Sequence, residues 1–314
     1  MLRAPLRMFG LFITSCLLWT LMGFVLGVVM GAVGVGVFLG IVVGVGNWFV
    51  CTWSSEKFAL DLYDAELLDS ETAPGMNDMI RELSREIGIE SPLLYAIPIS
   101  APNAFVVPRR DRGNVIVVTN GLTKYLTREE VQAVITMMLM RLADKEAPVW
   151  SVATAIAGLP IYGATTGDWK NLLRKKLAID RKTGLTIVER VLMAFLILPC
   201  NLILRIGYDS QSIVHADREA ARLLGTHRDL SSALAKMEEQ RPKNWWGRSY
   251  FNAATGPLFA VEPLANPEDV EGLAPIWRVS QRMFARVILS PAERRSLLSE
   301  EPAPASVSGE SVHV

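Results

Sequence analysis

The chain has 314 residues and carries 32 basic and 32 acidic side chains, so it has no net charge. Half of its residues are hydrophobic and its mean hydropathy is +0.27. Neutrality excludes the basic footprint of a nucleic-acid binder, and the apolar excess points to a membrane protein that carries one soluble domain.

From Met8 to Ser55 there is no charged residue. That run is too long for one span of about 20 residues and fits two. Gly31–Gly36 is the predicted turn of a helical hairpin, Phe9–Met30 and Val37–Trp53, and the many glycines suit close helix packing. A cleaved signal peptide is a poor fit, because the run far exceeds an h-region. Arg3 and Arg7 precede the hairpin and Lys57 lies just beyond it. The positive-inside rule therefore puts the N-terminus, and the chain after the hairpin, in the cytoplasm.

Asp61–Leu68 is expected as a short helix. Met76, Met79, Ile80, Leu83 and Ile87 mark an amphipathic helix ending at Gly88. Leu93–Ile97, Ala104–Val107 and Val115–Thr119 read as strands, with a turn at Asp111–Asn114. Thr127 and Glu130 then form a capping box. Val131, Val134, Ile135, Met138 and Leu142 recur at helical spacing, with Ala133, Met137 and Arg141 on a neighbouring face.

Pro148–Gly167 and Val191–Ile206 are candidate third and fourth membrane segments, separated by a basic loop around Arg174-Lys175-Lys176. Full spanning puts that loop outside, against the positive-inside rule; shallow or re-entrant segments keep it at the cytoplasmic surface near anionic lipid. The residues leave both arrangements open. Asp209–Leu224 and Asp229–Glu239 are helices, Trp245, Trp246, Tyr250 and Phe251 with Arg241, Lys243 and Arg248 form an aromatic and basic stretch, Ala274–Leu289 is a last helix, and Ser299–Val314 has the composition of a disordered tail.

Cys16, Cys51 and Cys200 sit in apolar runs and read as small core residues. His215 and Glu219 share a helical face, most simply as a solvent-facing pair. Met137, Met138 and Met140 read as gap fillers rather than soft metal ligands.

Asn103-Ala104-Phe105, the strand and turn Val115–Gly121 with Leu122, and the helix opening Glu129–Val134 together resemble the HtpX-like membrane metallopeptidases. The resemblance spans roughly residues 10–295. It implies a mostly helical α+β fold, a membrane-anchored zincin-like domain with a small β-sheet and an N-terminal transmembrane hairpin. In that family the helix carries His-Glu-x-x-His, two zinc-binding histidines with the general base between them. In register, this chain has Met137, Met138, Leu139, Met140 and Arg141. Ile213 stands at the third-ligand glutamate, Ala216-Asp217 remains, and Glu262 replaces an accessory histidine.

Catalytic residues are thus expected to be absent, with Met137, Met138, Arg141, Ile213 and Glu262 at the degenerate positions. Zinc, which the family uses, has no ligand set here. Asn103, Ala104, Phe105, Arg141 and Asp217 are expected around the cleft, with Asn103–Val107 able to pair an extended peptide. Arg141 is expected to reach Asp217 or Glu262, or else to run out to solvent.

The resemblance predicts a pseudopeptidase that binds polypeptides or partner membrane proteins, in membrane-protein quality control. The competing readings are an active zinc metalloendopeptidase with displaced ligands and a purely structural membrane scaffold. Expected partners are the lipid bilayer and a polypeptide or membrane protein. The expected location is the inner membrane, multi-pass, with a cytoplasmic soluble domain. The organisation expected is 1–55 hairpin, 56–147 first part of the peptidase-like domain, 148–207 apolar segments with their basic loop, 208–295 second part, and 296–314 tail.

Overall fold

The computed structural model describes residues 3–109, 113–144, 147–166, 200–241, 254–263 and 289–299. Two long helices, α1 (Arg3–Met30) and α2 (Val33–Leu62), form the N-terminal hairpin. Both extend beyond the uncharged run, and the turn is reduced to Gly31 and Ala32. The backbones touch: a Cβ on Gly23 would overlap the carbonyl oxygen of Gly36. Small residues permit that approach where lipid supplies no hydrophobic drive.

The spans Ala4–Val28 and Val33–Ser55 are long and apolar enough to cross a membrane. Only 28% and 11% of their best windows are buried, and Phe9, Leu17, Phe38 and Phe49 lie exposed. A core helix would bury such residues; continuous apolar exposure is what a bilayer covers.

Strand β1 (Glu66–Leu67) stands where a short helix over Asp61–Leu68 was expected. Helix α2 absorbs the first part of that stretch and ends at Leu62. Glu66 and Leu67 then gain backbone partners by pairing antiparallel to Ala96 and Tyr95. Local propensity loses here to an available sheet edge.

Helix α3 (Pro74–Ile87) ends on Gly88, whose φ of 80° is the left-handed cap conformation. Strands β2 (Leu93–Ile97), β3 (Ala104–Val107) and β4 (Val115–Thr119) fall at their predicted residues. The sheet order is β1-β2-β4-β3, with β2 parallel to β4 and β3 antiparallel to it.

Alternation along β3 and β4 divides the core in two. Phe105, Val107, Val115 and Val117 face a cluster shared with the hairpin; Ala104, Val106, Ile116 and Val118 face the domain helices. The sheet is a partition buried on both sides.

Beyond it come α4 (Leu122–Tyr125), α5 (Arg128–Ala143) and α6 (Ala147–Thr166). A further helix, α7, covers 200–207, followed by α8 (Ser210–Leu223) and α9 (Arg228–Glu239). Gly256–Leu258 forms one 3₁₀ turn, and α10 (Pro291–Ser299) runs past position 296, where the tail was expected to begin. The basic loop, the aromatic residues 243–251 and the helix expected over Ala274–Leu289 lie outside the described residues, as does most of Val191–Ile206. Arg7 ties the hairpin to the domain through a 2.8 Å ion pair with Asp209, the N-cap of α8.

Candidate functional site

Helix α5 starts with the expected capping box. The Thr127 hydroxyl accepts from the Glu130 amide at 3.3 Å, and the Thr127 amide donates to the Glu130 carboxylate at 2.8 Å. Glu130 also accepts from Ser232 at 2.6 Å and Lys236 at 2.8 Å on α9. These contacts overcome the opposing effect of burial and hold its carboxyl below the usual range.

This frame fixes the rotation of α5 and turns Met137 and Arg141 into the domain, with 0% and 1% of their surfaces exposed. Ile213 and Asp217, one helical turn apart on α8, are each 1% exposed, and Met138 is fully buried.

At the centre lies a residue that the sequence pattern did not single out. Arg294 of α10 is 1% exposed. Its Nε and Nη2 each donate to one Asp217 carboxylate oxygen at 2.6 Å. Nη1 donates to the Ala260 carbonyl, and Nη2 lies 2.9 Å from the Met137 sulfur. A forked, two-bond arginine–carboxylate contact is the strong form of the interaction.

Its signal was present in Ser290-Pro291-Ala292-Glu293, a capping box with proline at the first helical position. The Ser290 amide donates to the Glu293 carboxylate at 2.8 Å, and the Glu293 amide donates to the Ser290 hydroxyl at 3.2 Å.

Arg141 does not pair with Asp217 or Glu262, and it does not reach solvent. Arg294 has already taken Asp217. Arg141 Nη1 instead donates to the carbonyls of Phe259 at 3.1 Å and Leu258 at 3.4 Å. Its Nε and Nη2 are buried without a partner. Burial, and then the Arg294 charge beside it, pull its pKa down to about 9.

Glu262 is 3% exposed with one oxygen unpartnered, and burial pushes its carboxyl up to about 8 against the pull of Arg241. Nearby, the Tyr208 hydroxyl shares a 2.8 Å hydrogen bond with Thr154; this buried pair too went unread in the sequence.

The outer edge of β3 is not open to a peptide. The chain's own residues 259–261 lie along it: Phe259 bridges Phe105, and the Ala260 amide donates to the Ala104 carbonyl at 2.7 Å. The Asn103 side chain clamps this segment, donating to the Val261 carbonyl at 2.7 Å and accepting from the Val261 amide at 3.2 Å. Asn103, Ala104 and Phe105 are at most 5% exposed. The edge expected to be free at Asn103–Val107 is therefore occupied by the chain itself along Asn103, Ala104 and Phe105.

The residues present do not fit zinc. Hydrolytic zinc takes three nitrogen, sulfur-anion or oxygen ligands plus an open position. Here the one carboxylate, Asp217, is taken by the Arg294 guanidinium, which also lies against the Met137 thioether, and Arg141 is close enough to feel the Arg294 charge, so a dication would meet like charge. Among the described residues no three His, Cys, Asp or Glu side chains gather to hold a metal. His215 and Glu219 face solvent, 3.9 Å apart, with the His215 side chain 71% exposed.

A membrane-hairpin protein with a small mixed sheet, and a helix crossing behind it toward a buried polar centre, defines the class of membrane-anchored peptidase-like proteins. The chain is similar to the HtpX-like proteins of peptidase family M48. The profile "Peptidase family M48" matches residues 70–136, from just before α3 to the residue before Met137.

Among similar proteins, the Protease HtpX homolog of Thermococcus kodakarensis is 29% identical over 215 residues, 68% of this chain and 73% of its own length. That of Persephonella marina is 29% identical over 191 residues, 60% of this chain and 65% of its own. That of Syntrophobacter fumaroxidans is 29% identical over 214 residues, 68% and 75%. No solved structure matches.

Proposed function

We propose that this chain is a pseudopeptidase of the HtpX-like family, a multi-pass membrane protein that acts by holding polypeptide or membrane-protein partners without hydrolysing them. The observation that carries this reading is the forked Arg294–Asp217 contact, seated against Met137 where the family resemblance puts a zinc-binding histidine. Hydrolysis of a peptide bond by a zinc peptidase needs a polarising ion and a base beside the bound water. The positions that correspond carry Met137, Met138 and Arg141, none of which accepts a proton at neutral pH.

The filled β3 edge supports a further restriction. Partners meet surfaces other than the ancestral groove, which is the behaviour of a membrane scaffold. The family likeness suggests membrane-protein quality control as the process. The arginines before the hairpin favour a cytoplasmic soluble domain in an inner membrane.

The test uses the full chain in detergent with zinc and an unfolded protein substrate. The substrate stays intact, while photocrosslinkers placed on exposed helix faces capture partners from the native membrane. Cleavage that a chelator abolishes would establish the displaced-ligand peptidase instead.

A further inference from the structure

We propose that the outer edge of β1 takes up an extended basic segment of another polypeptide as an added strand. The segment is the lysine- and arginine-rich flank of a membrane protein, where it leaves the bilayer. The holding role inferred above, on which this rests, thereby gains a surface and a class of partner.

Among the described residues β1 is an outer strand of the sheet, and both of its residues are exposed. Its inner side is spent on β2. Glu66 and Leu67 stand opposite Ala96 and Tyr95, and the Leu68 amide donates to the Leu94 carbonyl at 2.8 Å. Successive residues of an antiparallel strand turn their main-chain groups to opposite sides. Leu67 therefore turns its amide and carbonyl away from β2, where an incoming strand meets them. The other outer strand, β3, already carries residues 259–261 along Ala104 and Phe105, which leaves β1 as the edge for a partner.

The side chains say which partner. Leu67 is 53% exposed and Leu93 41%. Leu67 lies opposite Tyr95, and Leu93 is two residues from Tyr95 on the same strand, so the three share one face. An added strand sets every second side chain against this apolar strip. Around it Asp61, Asp64, Glu66 and Asp69 are all exposed, and no basic residue lies between Asp61 and Asp69. Charge on an edge strand discourages promiscuous pairing. Here the charge has a single sign, so the edge repels an acidic chain, an anionic lipid surface and a second copy of itself, and it accepts a basic chain.

Position narrows the class further. The Leu93 amide donates to the Asn114 carbonyl at 2.8 Å. Asn114 borders the same cavity as Thr52 and Ser55, at the end of the apolar span Val33–Ser55. The Leu93 end of the sheet thus stands at the height of the membrane surface. Polypeptide at that height includes the flanks of transmembrane segments, and on the cytoplasmic side these are rich in Lys and Arg.

The experiment uses the full chain in a neutral detergent and a fluorescent peptide of alternating lysine and valine, with its glutamate–valine counterpart as control. Anisotropy should show binding of the basic peptide alone. Leu67→Pro removes the outward amide at a place where sheets tolerate proline, and should weaken binding about tenfold, the scale of one lost hydrogen bond. Glu66→Lys and Leu93→Ser, both at exposed positions, should weaken it with the thermal midpoint unchanged, and they carry the test if Leu67→Pro does not fold. In nanodiscs, a dye attached at Leu67→Cys should be shielded from a water-soluble quencher only when the basic peptide is added. Binding that is equal for the two peptides or undiminished in all the variants would overturn the proposal, as would shielding of the dye by lipid or by a second copy without peptide. Peptide mass is followed throughout. Cleavage with the variant pattern intact would contradict the pseudopeptidase reading and support the edge; an intact peptide that does not bind would contradict the edge and leave that reading standing.

Discussion

Arg294 and Asp217 meet through two parallel 2.6 Å contacts, both side chains 1% exposed, 77 positions apart in the chain. The pair joins α10 to α8 at the centre of the domain. Replacing one partner leaves the other charged and dry, which costs about 3–5 kcal/mol. Arg294→Met should lower unfolding stability in detergent by that amount. The double replacement Arg294→Met with Asp217→Leu should recover most of the loss, because both charges leave together. Additive losses would mean that the two side chains are independent.

Arg141 should behave in the opposite way. It is as deeply buried, but it satisfies only two carbonyls, leaves Nε and Nη2 unpartnered and lies close enough to feel the Arg294 charge. Arg141→Met keeps the length and removes the stranded donors, so denaturant titration should show a gain of about 1–3 kcal/mol. A loss as large as that of Arg294→Met would place a carboxylate against Arg141.

Glu262 makes stability depend on pH. Its folded carboxyl titrates at about 8 because burial disfavours the anion, whereas an unfolded glutamate titrates near 4. Between those values the unfolded chain releases a proton that the folded chain keeps, so this group's contribution falls as pH rises and levels off above about 8. The swing is on the order of a few kcal/mol. Glu262→Gln mimics the neutral form and should flatten the profile between pH 5 and 8. An unchanged profile would show that Glu262 is ionised in the fold.

The clamp at Asn103 predicts an exchange signature. Asn103→Ala removes the acceptor of the Val261 amide and the donor to its carbonyl. Hydrogen exchange at residues 260–262 should speed up while β4 stays protected. Equal protection in the variant would mean that backbone pairing with Ala104 alone holds the segment.

The features legible in the sequence are those set by local forces. The strands β2, β3 and β4, the capping box of α5 and the glycine cap of α3 depend on residues within a few positions of one another, and they stand where the pattern put them. The hairpin was legible because a bilayer demands long uncharged runs, although both helices extend farther than the run itself. Glu66 and Leu67 were misread because their strand exists only through pairing with Tyr95 and Ala96.

In the site, the burial of Met137, Ile213 and Asp217 was foreseeable. The partner of Asp217 was not: Arg141 lies on α5 at the register of a lost ligand, but Arg294 arrives from a helix near the C-terminal end and reaches the carboxylate first. Such competition between distant side chains leaves no periodic trace. The pairing of residues 259–261 with β3 was hidden for the same reason, since a free edge and an occupied one read alike in a single strand.

Arg294 and the Met137 sulfur lie against Asp217, and the zinc content of the full chain tests the proposed pseudopeptidase most directly. The protein is purified in detergent with zinc present and then passed through a desalting column. Elemental analysis should find far less than one zinc per chain, with no change in thermal midpoint when a chelator is added. One tightly held zinc per chain, whose removal lowers the midpoint, would contradict it.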